Sequence, residues 1–210
     1  IISENKKIEL WKYYKSKMSD EEKSFITAIA DLIKTLAEEN CSITEIGTGC
    51  GLITHLILES EQKISEYISY EPDGSLRKSL KKSFKNYDFF KNYKGDGLHL
   101  TNNEDSSSDI VLSYGVFNLI PISGVIKYIL ESKRILKKGG IIGFDIFNTD
   151  EASNPLFNMI EKKSNRLDSR PYISKMFLDK YMESHGFSLQ DNLIQHAGEN
   201  YKMFLTYKKS

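Results

Sequence analysis

Thr44-Glu45-Ile46-Gly47-Thr48-Gly49-Cys50-Gly51-Leu52 is the stretch that decides the fold. Ser42 to Ile46 is a short run with β-branched residues, and it reads as a strand. Glycines at 47, 49 and 51 let the chain turn sharply and pass close to a ligand. Leu52 to Glu59 reads as a helix whose free N–H groups aim at whatever binds in the turn. A strand, a glycine turn and a helix open a doubly wound sheet. Ligands bind such sheets at the carboxyl ends of the strands, where strand order reverses.

Working outward, the same alternation continues. Ile64 to Tyr70 reads as a strand and Ser75 to Phe84 as a Lys-rich helix. Phe89 to Tyr93 is a weaker strand, Asp109 to Ser113 a stronger one, Val125 to Leu136 a helix and Ile141 to Phe147 an apolar strand. Leu136-Lys137-Lys138-Gly139-Gly140 reads as a glycine-capped helix end before that strand. Strands alternating with helices predict a parallel sheet covered on both faces. After a helix over Met176 to Glu183, Phe187 to Ile194 and Tyr201 to Tyr207 read as two strands. The six residues between them are too few for a parallel crossover, so the last strand is expected antiparallel, in a hairpin at a sheet edge. The expected fold class is therefore α/β: a Rossmann-like, doubly wound, seven-stranded sheet with an antiparallel last strand.

Upstream, residues 4–40 read as two helices. Leu10, Trp11, Tyr13 and Tyr14 mark the first; Ser19-Asp20-Glu21-Glu22 caps the second, which carries an apolar stripe of Phe25, Ile26, Ile29, Leu32, Ile33 and Leu36. Residues 1–40 are thus expected to form a helical cap or lid, and 41–210 the ligand-binding domain, with an inserted loop at 148–173 over the mouth of the sheet.

Composition narrows the function. The 210 residues carry 29 Lys plus Arg and 29 Asp plus Glu, a balance that argues against nucleic-acid binding by bulk charge. No apolar run reaches the length of a membrane span, and Ile1-Ile2-Ser3-Glu4-Asn5-Lys6 lacks the apolar core of a signal peptide. Cys41 and Cys50 stand nine apart, with no CxxC and no Cys/His cluster. No metal site and no disulfide framework are expected, and the usage fits a reducing, cytoplasmic compartment.

The acid and glycine positions define the chemistry. A dinucleotide fingerprint would need its third glycine where Leu52 stands, which weakens a nicotinamide reading. Glu71 lies 24 residues after Gly47 at the end of the second strand, followed by Pro72, and an acid there can accept both hydroxyls of a ribose; an acidic helix cap is the plainer alternative, and Asp73 suits it better. Gly95-Asp96-Gly97 after the third strand presents a carboxylate suited to an exocyclic amine, though Gly-Asp-Gly is also an ordinary turn. Tyr114 to Asn118, after the fourth strand, are expected to project into the crevice.

In this order, Glu45-x-Gly47-x-Gly49-x-Gly51, Glu71, Gly95-Asp96, Asp109 to Asn118, Leu136-Lys-Lys-Gly-Gly and Gly186-Phe187 resemble the class I S-adenosylmethionine-dependent methyltransferases. The resemblance covers about residues 40–147 and 174–208. It is closest to small-molecule enzymes of the menaquinone and ubiquinone biosynthesis type, through Ser113-Tyr114-Gly115-Val116-Phe117-Asn118. It implies that Gly47, Thr48 and Gly49 cradle the methionine part of S-adenosylmethionine, with Glu45 holding the turn or the amino group through water. It implies that Glu71, beside Pro72, binds the ribose, that Asp96 and Gly97 meet the adenine, and that Ser113 and Tyr114 line the methionine end. S-adenosylhomocysteine is then the product. Gly97-Leu98-His99-Leu100 and the proline-free Lys137-Lys138 linker depart from the family pattern.

Methyl transfer from a sulfonium is an in-line displacement, so the protein mainly positions the acceptor and excludes water. Candidate positioning residues are Tyr14, Asn118 and Tyr172, with Trp11, Tyr13, Phe117, Phe157 and Arg170 as further acceptor-side candidates. Packing of the N-terminal aromatics on the sheet is the alternative for that group. His185 and His196 read as structural and away from the crevice. A small molecule is the expected acceptor, since no Asn-Pro-Pro-Tyr or Asp-Pro-Pro-Tyr follows the fourth strand. A protein or peptide acceptor, and a non-catalytic cofactor-binding protein of the same fold, stand as alternatives.

Overall fold

The computed structural model describes residues 10–59, 64–150, 172–197 and 199–210. The elements run α1 (Leu10–Lys17), α2 (Asp20–Leu36), β1 (Cys41–Ile46), α3 (Leu52–Leu58), β2 (Ile64–Tyr70), α4 (Gly74–Ser83), β3 (Phe90–Tyr93), β4 (Ser108–Ser113), α5 (Ile122–Ile135), β5 (Leu136–Asn148), β6 (Tyr172–Ile173), α6 (Lys175–Ser184), β7 (Phe187–Leu189), β8 (Ile194–His196) and β9 (Glu199–Lys209). The sheet order is β3-β2-β1-β4-β5-β9-β7, with β6 added to β5 and β8 to β9. β1 pairs parallel with both β2 and β4, so strand order reverses at β1. β9 runs antiparallel between β5 and β7.

The seven strands expected from the sequence are the main path; β6 and β8 are short additions. The expected strand Phe187 to Ile194 is divided into β7 and β8, both laid along β9. The glycine helix cap is a correction. α5 ends at Ile135, Leu136 is already extended at ψ 135°, and Gly139-Gly140 lie within β5. Ser108 pairs with Leu136 and Ile110 with Ile141, so the glycines form a bulge in the strand. A Cβ on Gly140 would stand 2.9 Å from the Asp109 carbonyl oxygen.

Helices cover both faces of the sheet. α2 and α3 pack Phe25, Ile26, Ile29, Ile33, Leu52 and Ile57 against Ile43, Tyr67 and Leu112. α5 and α6 pack Val125, Ile129, Leu178 and Met182 against Val111, Ile142 and Leu205. Each such side chain removed from water contributes about 1.5–3 kcal/mol. Ser19 caps α2 by accepting from the Glu22 N–H, as the sequence predicts. α1 docks through Trp11, which is buried and stacked on His55 of α3 with ring centroids 3.5 Å apart. Most of the expected insert at 148–173, including Phe157 and Arg170, lies outside the described residues.

Candidate functional site

The site forms where β1 and β4 part. Gly47 leaves β1 at φ +72°, and its N–H donates to the Tyr70 carbonyl at 2.8 Å. A Cβ on Gly47 would lie 2.1 Å from a methyl of Val116, so only glycine fits beneath the loop after β4. Thr48 Oγ1 is 2.6 Å from Ser69 Oγ, which fixes the elbow to β2.

Glu71 is the pivot of the elbow. It is buried, its Oε2 accepts from the Gly49 N–H at 2.8 Å, and its Oε1 accepts from the Asp73 N–H at 2.9 Å. Asp73, and not Glu71, caps α4 through the N–H groups of Ser75 and Leu76.

Two cavities meet at Gly47, Gly49 and Gly115. One, of about 320 Å³, has Glu71, Pro72 and Gly97 on one side and Val116, Leu119, Ile120 and Tyr128 on the other. The second, of about 200 Å³, is walled by Met18 and Ile26 from the N-terminal segment, with Glu45, Thr48, Cys50, Leu52, Ile53 and Tyr114. The carboxylate beside an apolar slot suits a sugar diol carrying a flat ring, and the second hollow continues it past the glycine elbow.

Glu45 lines the second hollow from below. Its Oε2 accepts from Thr54 Oγ1 at 2.6 Å and from Tyr67 Oη at 2.7 Å. Burial pushes its carboxyl up to about 7, with the nearby Glu71 charge adding to burial and the two hydroxyls opposing it. Asp145, at the end of β5, is also fully buried and is pushed up to about 6 by burial, against the N–H of Gly115.

The remaining expected residues are distributed as follows. Gly97 and Tyr114 line the cavities. Asp96 is half exposed, and its carboxylate is bonded to the His99 ring at 2.7 Å and to the N–H groups of Leu98 and His99. Those bonds outweigh the upward push of its slight burial and hold it at about 2. Ser113 does not line either cavity: it is fully buried in the β1–β4 seam, and its hydroxyl donates to the Ile46 carbonyl at 3.4 Å.

Among the described residues, none of the acceptor-side candidates lines either cavity. Tyr14 is 46% exposed on α1, and Tyr172 on β6 packs on Phe147. Asn118 is turned inward, where its Nδ2 donates to Asp145 at 2.8 Å, so it fixes the loop after β4 and does not face the crevice. Phe117 is core, between Tyr128 and Phe144.

One group escaped sequence reasoning. Tyr114, His196 and Lys202 converge on Glu22, and Tyr114 lines the second hollow, so His196 is not remote from the crevice. The return to β9 is announced locally, but the meeting of β8 and β9 with α2, 174 residues away for His196 and Glu22, is not. Among the described residues no cluster of three His, Cys, Asp or Glu side chains could hold a metal, and no helix is long and apolar enough to cross a membrane.

The family model described as a methyltransferase domain matches residues 44–144. No curated protein matches the chain by sequence. Among solved structures, the chain is similar to a complex between the Haloferax volcanii Trm112 methyltransferase activator and a protein assigned as a methyltransferase. That match has a TM-score of 0.69 and 15% identity, and covers 96% of this chain and 98% of the other. It is also similar to a Galdieria sulphuraria protein assigned as a sarcosine dimethylglycine methyltransferase, with a TM-score of 0.67, 13% identity, and 90% and 86% coverage. The methyltransferase CalH, solved with S-adenosylhomocysteine, matches with a TM-score of 0.64 and 17% identity, over 90% of this chain and 59% of that one. The architecture and the matched domain are those of the class I S-adenosylmethionine-dependent methyltransferases, as the motif order implied. S-adenosylmethionine and S-adenosylhomocysteine are the ligand pair that goes with them.

Proposed function

We propose that the chain is a methyltransferase that moves a methyl group from S-adenosylmethionine to a small-molecule acceptor. The observation that carries this reading is Glu71: a buried carboxylate held by two backbone N–H groups at the rim of an apolar slot, at the strand-order switch point.

Bound there, S-adenosylmethionine supplies an activated methyl group on a sulfonium. The chain's own residues do the rest. Glu71 takes the ribose hydroxyls, and Pro72, Val116, Leu119 and Ile120 enclose the ring. Asp96 with Gly97 meets the adenine amine, and the His99 bond then orients that carboxylate. Gly47, Thr48 and Gly49 bring backbone close to the methionine part, and Glu45 places negative charge below it. Met18, Ile26 and Tyr114 shut water from the transfer site, which favours a reaction whose charge diminishes on the way to products. The acceptor must sit about 3 Å from the methyl carbon, in line with the breaking bond.

The small size of the second hollow, about 200 Å³, supports a small acceptor over a peptide. Titration calorimetry tests the first step. Both S-adenosylmethionine and S-adenosylhomocysteine are expected to bind, with Glu71→Ala losing most of the affinity. Absence of binding, or unchanged binding in Glu71→Ala, would refute the assignment.

A further inference from the structure

Tyr128 of α5 is 4% exposed and lines the larger cavity together with Glu71. Phe117 stacks on its ring, with centroids 6.1 Å apart and planes at 18°. A buried tyrosine hydroxyl ordinarily finds a hydrogen-bond partner. The backbone carbonyl of Tyr128 accepts from Ser132 Oγ at 2.7 Å, but its hydroxyl has no partner among the described residues. Nor is that hydroxyl one of the polar atoms sealed away from open space. On a side chain this buried, the open space is the slot that it lines. A phenylalanine would pack on Phe117 equally well and would spare the chain an unpaired buried hydroxyl, so the oxygen has no use inside the fold.

Asp96 locates the hydroxyl further. Its carboxylate stands between Gly95 and Gly97 of the slot wall, close enough for its charge to act on the phenol. α5 also fastens the loop that carries this carboxylate. Glu131 Oε2 accepts the Leu100 N–H at 3.0 Å, and Arg134 Nη2 donates to the Leu100 carbonyl at 3.1 Å. Tyr128, Glu131 and Arg134 follow at spacings of three on one helix face. The helix that presents the hydroxyl therefore fixes the loop that presents the carboxylate.

The two groups are complementary. An ionised carboxylate only accepts. Asp96 Oδ1 already takes the N–H groups of Leu98 and His99, so those two backbone donors are spent. Burial, and after it the Asp96 charge, push the Tyr128 phenol up to about 12, so at neutral pH it keeps its proton and can donate. A donor and an acceptor at the same end of the slot match a ring nitrogen beside an exocyclic amine, the pattern that adenine presents.

We infer that Tyr128 is a recognition residue for the base: its hydroxyl donates to a ring nitrogen flanking the adenine amine, N1 or N7, while Asp96 accepts from that amine. This rests on the methyltransferase reading above. The ring nitrogen supplies the partner that the fold withholds from the hydroxyl, so the bond forms only with ligand in the slot.

The test uses the full chain and Tyr128→Phe, which removes one oxygen and keeps the ring. Titration calorimetry reads the affinities of S-adenosylhomocysteine and of its 1-deaza, 3-deaza and 7-deaza analogues, each of which replaces one ring nitrogen by C–H and keeps the amine. The unmodified chain should bind either the 1-deaza or the 7-deaza analogue about 10-fold more weakly than S-adenosylhomocysteine, and the one affected identifies the nitrogen. Tyr128→Phe should bind S-adenosylhomocysteine about 10-fold more weakly and show no further loss on that analogue. The 3-deaza analogue should follow S-adenosylhomocysteine in both chains. The Tm of ligand-free Tyr128→Phe should be unchanged or higher, since no bond within the chain is lost. Full affinity of Tyr128→Phe for S-adenosylhomocysteine, an equal loss on all four ligands, a dependence on the 3-deaza position, or a lowered Tm overturns the inference. An unmodified chain that binds no S-adenosylhomocysteine overturns the methyltransferase reading itself.

Discussion

The Glu71 carboxylate accepts the Gly49 N–H at 2.8 Å, tying the end of β2 to the elbow that follows β1. One side chain thus shapes the glycine turn and faces the apolar slot, so the proposed binding role couples structure to affinity through it. Glu71→Gln keeps the shape but places an amide N–H₂ against one of two N–H donors. Hydrogen bonds to a charged group contribute about 1.5–3 kcal/mol. Thermal unfolding should therefore show a lower Tm, and calorimetry about 10-fold or greater loss of S-adenosylmethionine affinity. Loss of stability with full affinity would place the ribose elsewhere.

Gly51 starts α3 at φ +80°, and a Cβ there would stand 2.7 Å from Leu80 Cδ2 and 2.8 Å from Phe84 Cε2. Gly51→Ala adds left-handed strain of about 1–2 kcal/mol and overpacking of about 1–3 kcal/mol. At 2–4 °C per kcal/mol for a chain of this size, a drop of roughly 4–20 °C in Tm is expected by calorimetric scanning. An unchanged Tm would mean that α4 shifts freely, contrary to the packing of Leu80 and Phe84 in the core.

Much of the fold was legible because its signals are local. The β-branched run before Gly47, the cap at Ser19 and the short return before Tyr201 each state their geometry within a few residues. The bulge at Gly139-Gly140 was misread because a glycine pair ends a helix and kinks a strand with equal ease; the register of β4 against β5 chose between them. The proposed cofactor side was legible as a structure, an elbow of glycines tied to Glu71. The acceptor side was not. Asn118 turned to Asp145, Phe117 entered the core, and Glu22, His196 and Lys202, separated by 174 residues or more from α2 to β8 and β9, met only through the sheet return.

Cys50 offers a direct reading of the second hollow, which it lines. Burial raises its thiol, so slow alkylation is expected at neutral pH. Cys41 is buried and pushed up to about 12, so it should react more slowly still. Saturating S-adenosylhomocysteine should slow maleimide labelling of Cys50 and leave Cys41 unaffected, as followed by mass spectrometry of tryptic peptides. Equal labelling of Cys50 with and without the ligand would separate the hollow from the cofactor path.

Two buried carboxyls set the pH response. Glu45 is raised from 4.5 to about 7 and Asp145 from 3.8 to about 6. Between those ordinary and raised values the folded chain binds more protons than the unfolded chain, so stability falls as pH rises through about 4 to 7. Glu22 and Asp109, which are lowered, act oppositely: their contribution is present above the ordinary carboxylate range and is lost as pH falls through it. A stability maximum in the ordinary carboxylate range, about pH 4, is expected, with a Tm decline of several degrees by pH 8 that Glu45→Gln flattens. A cation brought over Glu45 reverses its shift and expels its proton. Binding of S-adenosylmethionine at pH 6.5 should therefore release a fraction of a proton, seen as a binding enthalpy that differs between phosphate and imidazole buffers, and Glu45→Gln should abolish the difference. A buffer-independent enthalpy in the unmodified chain would show that the sulfonium and ammonium charges lie away from Glu45.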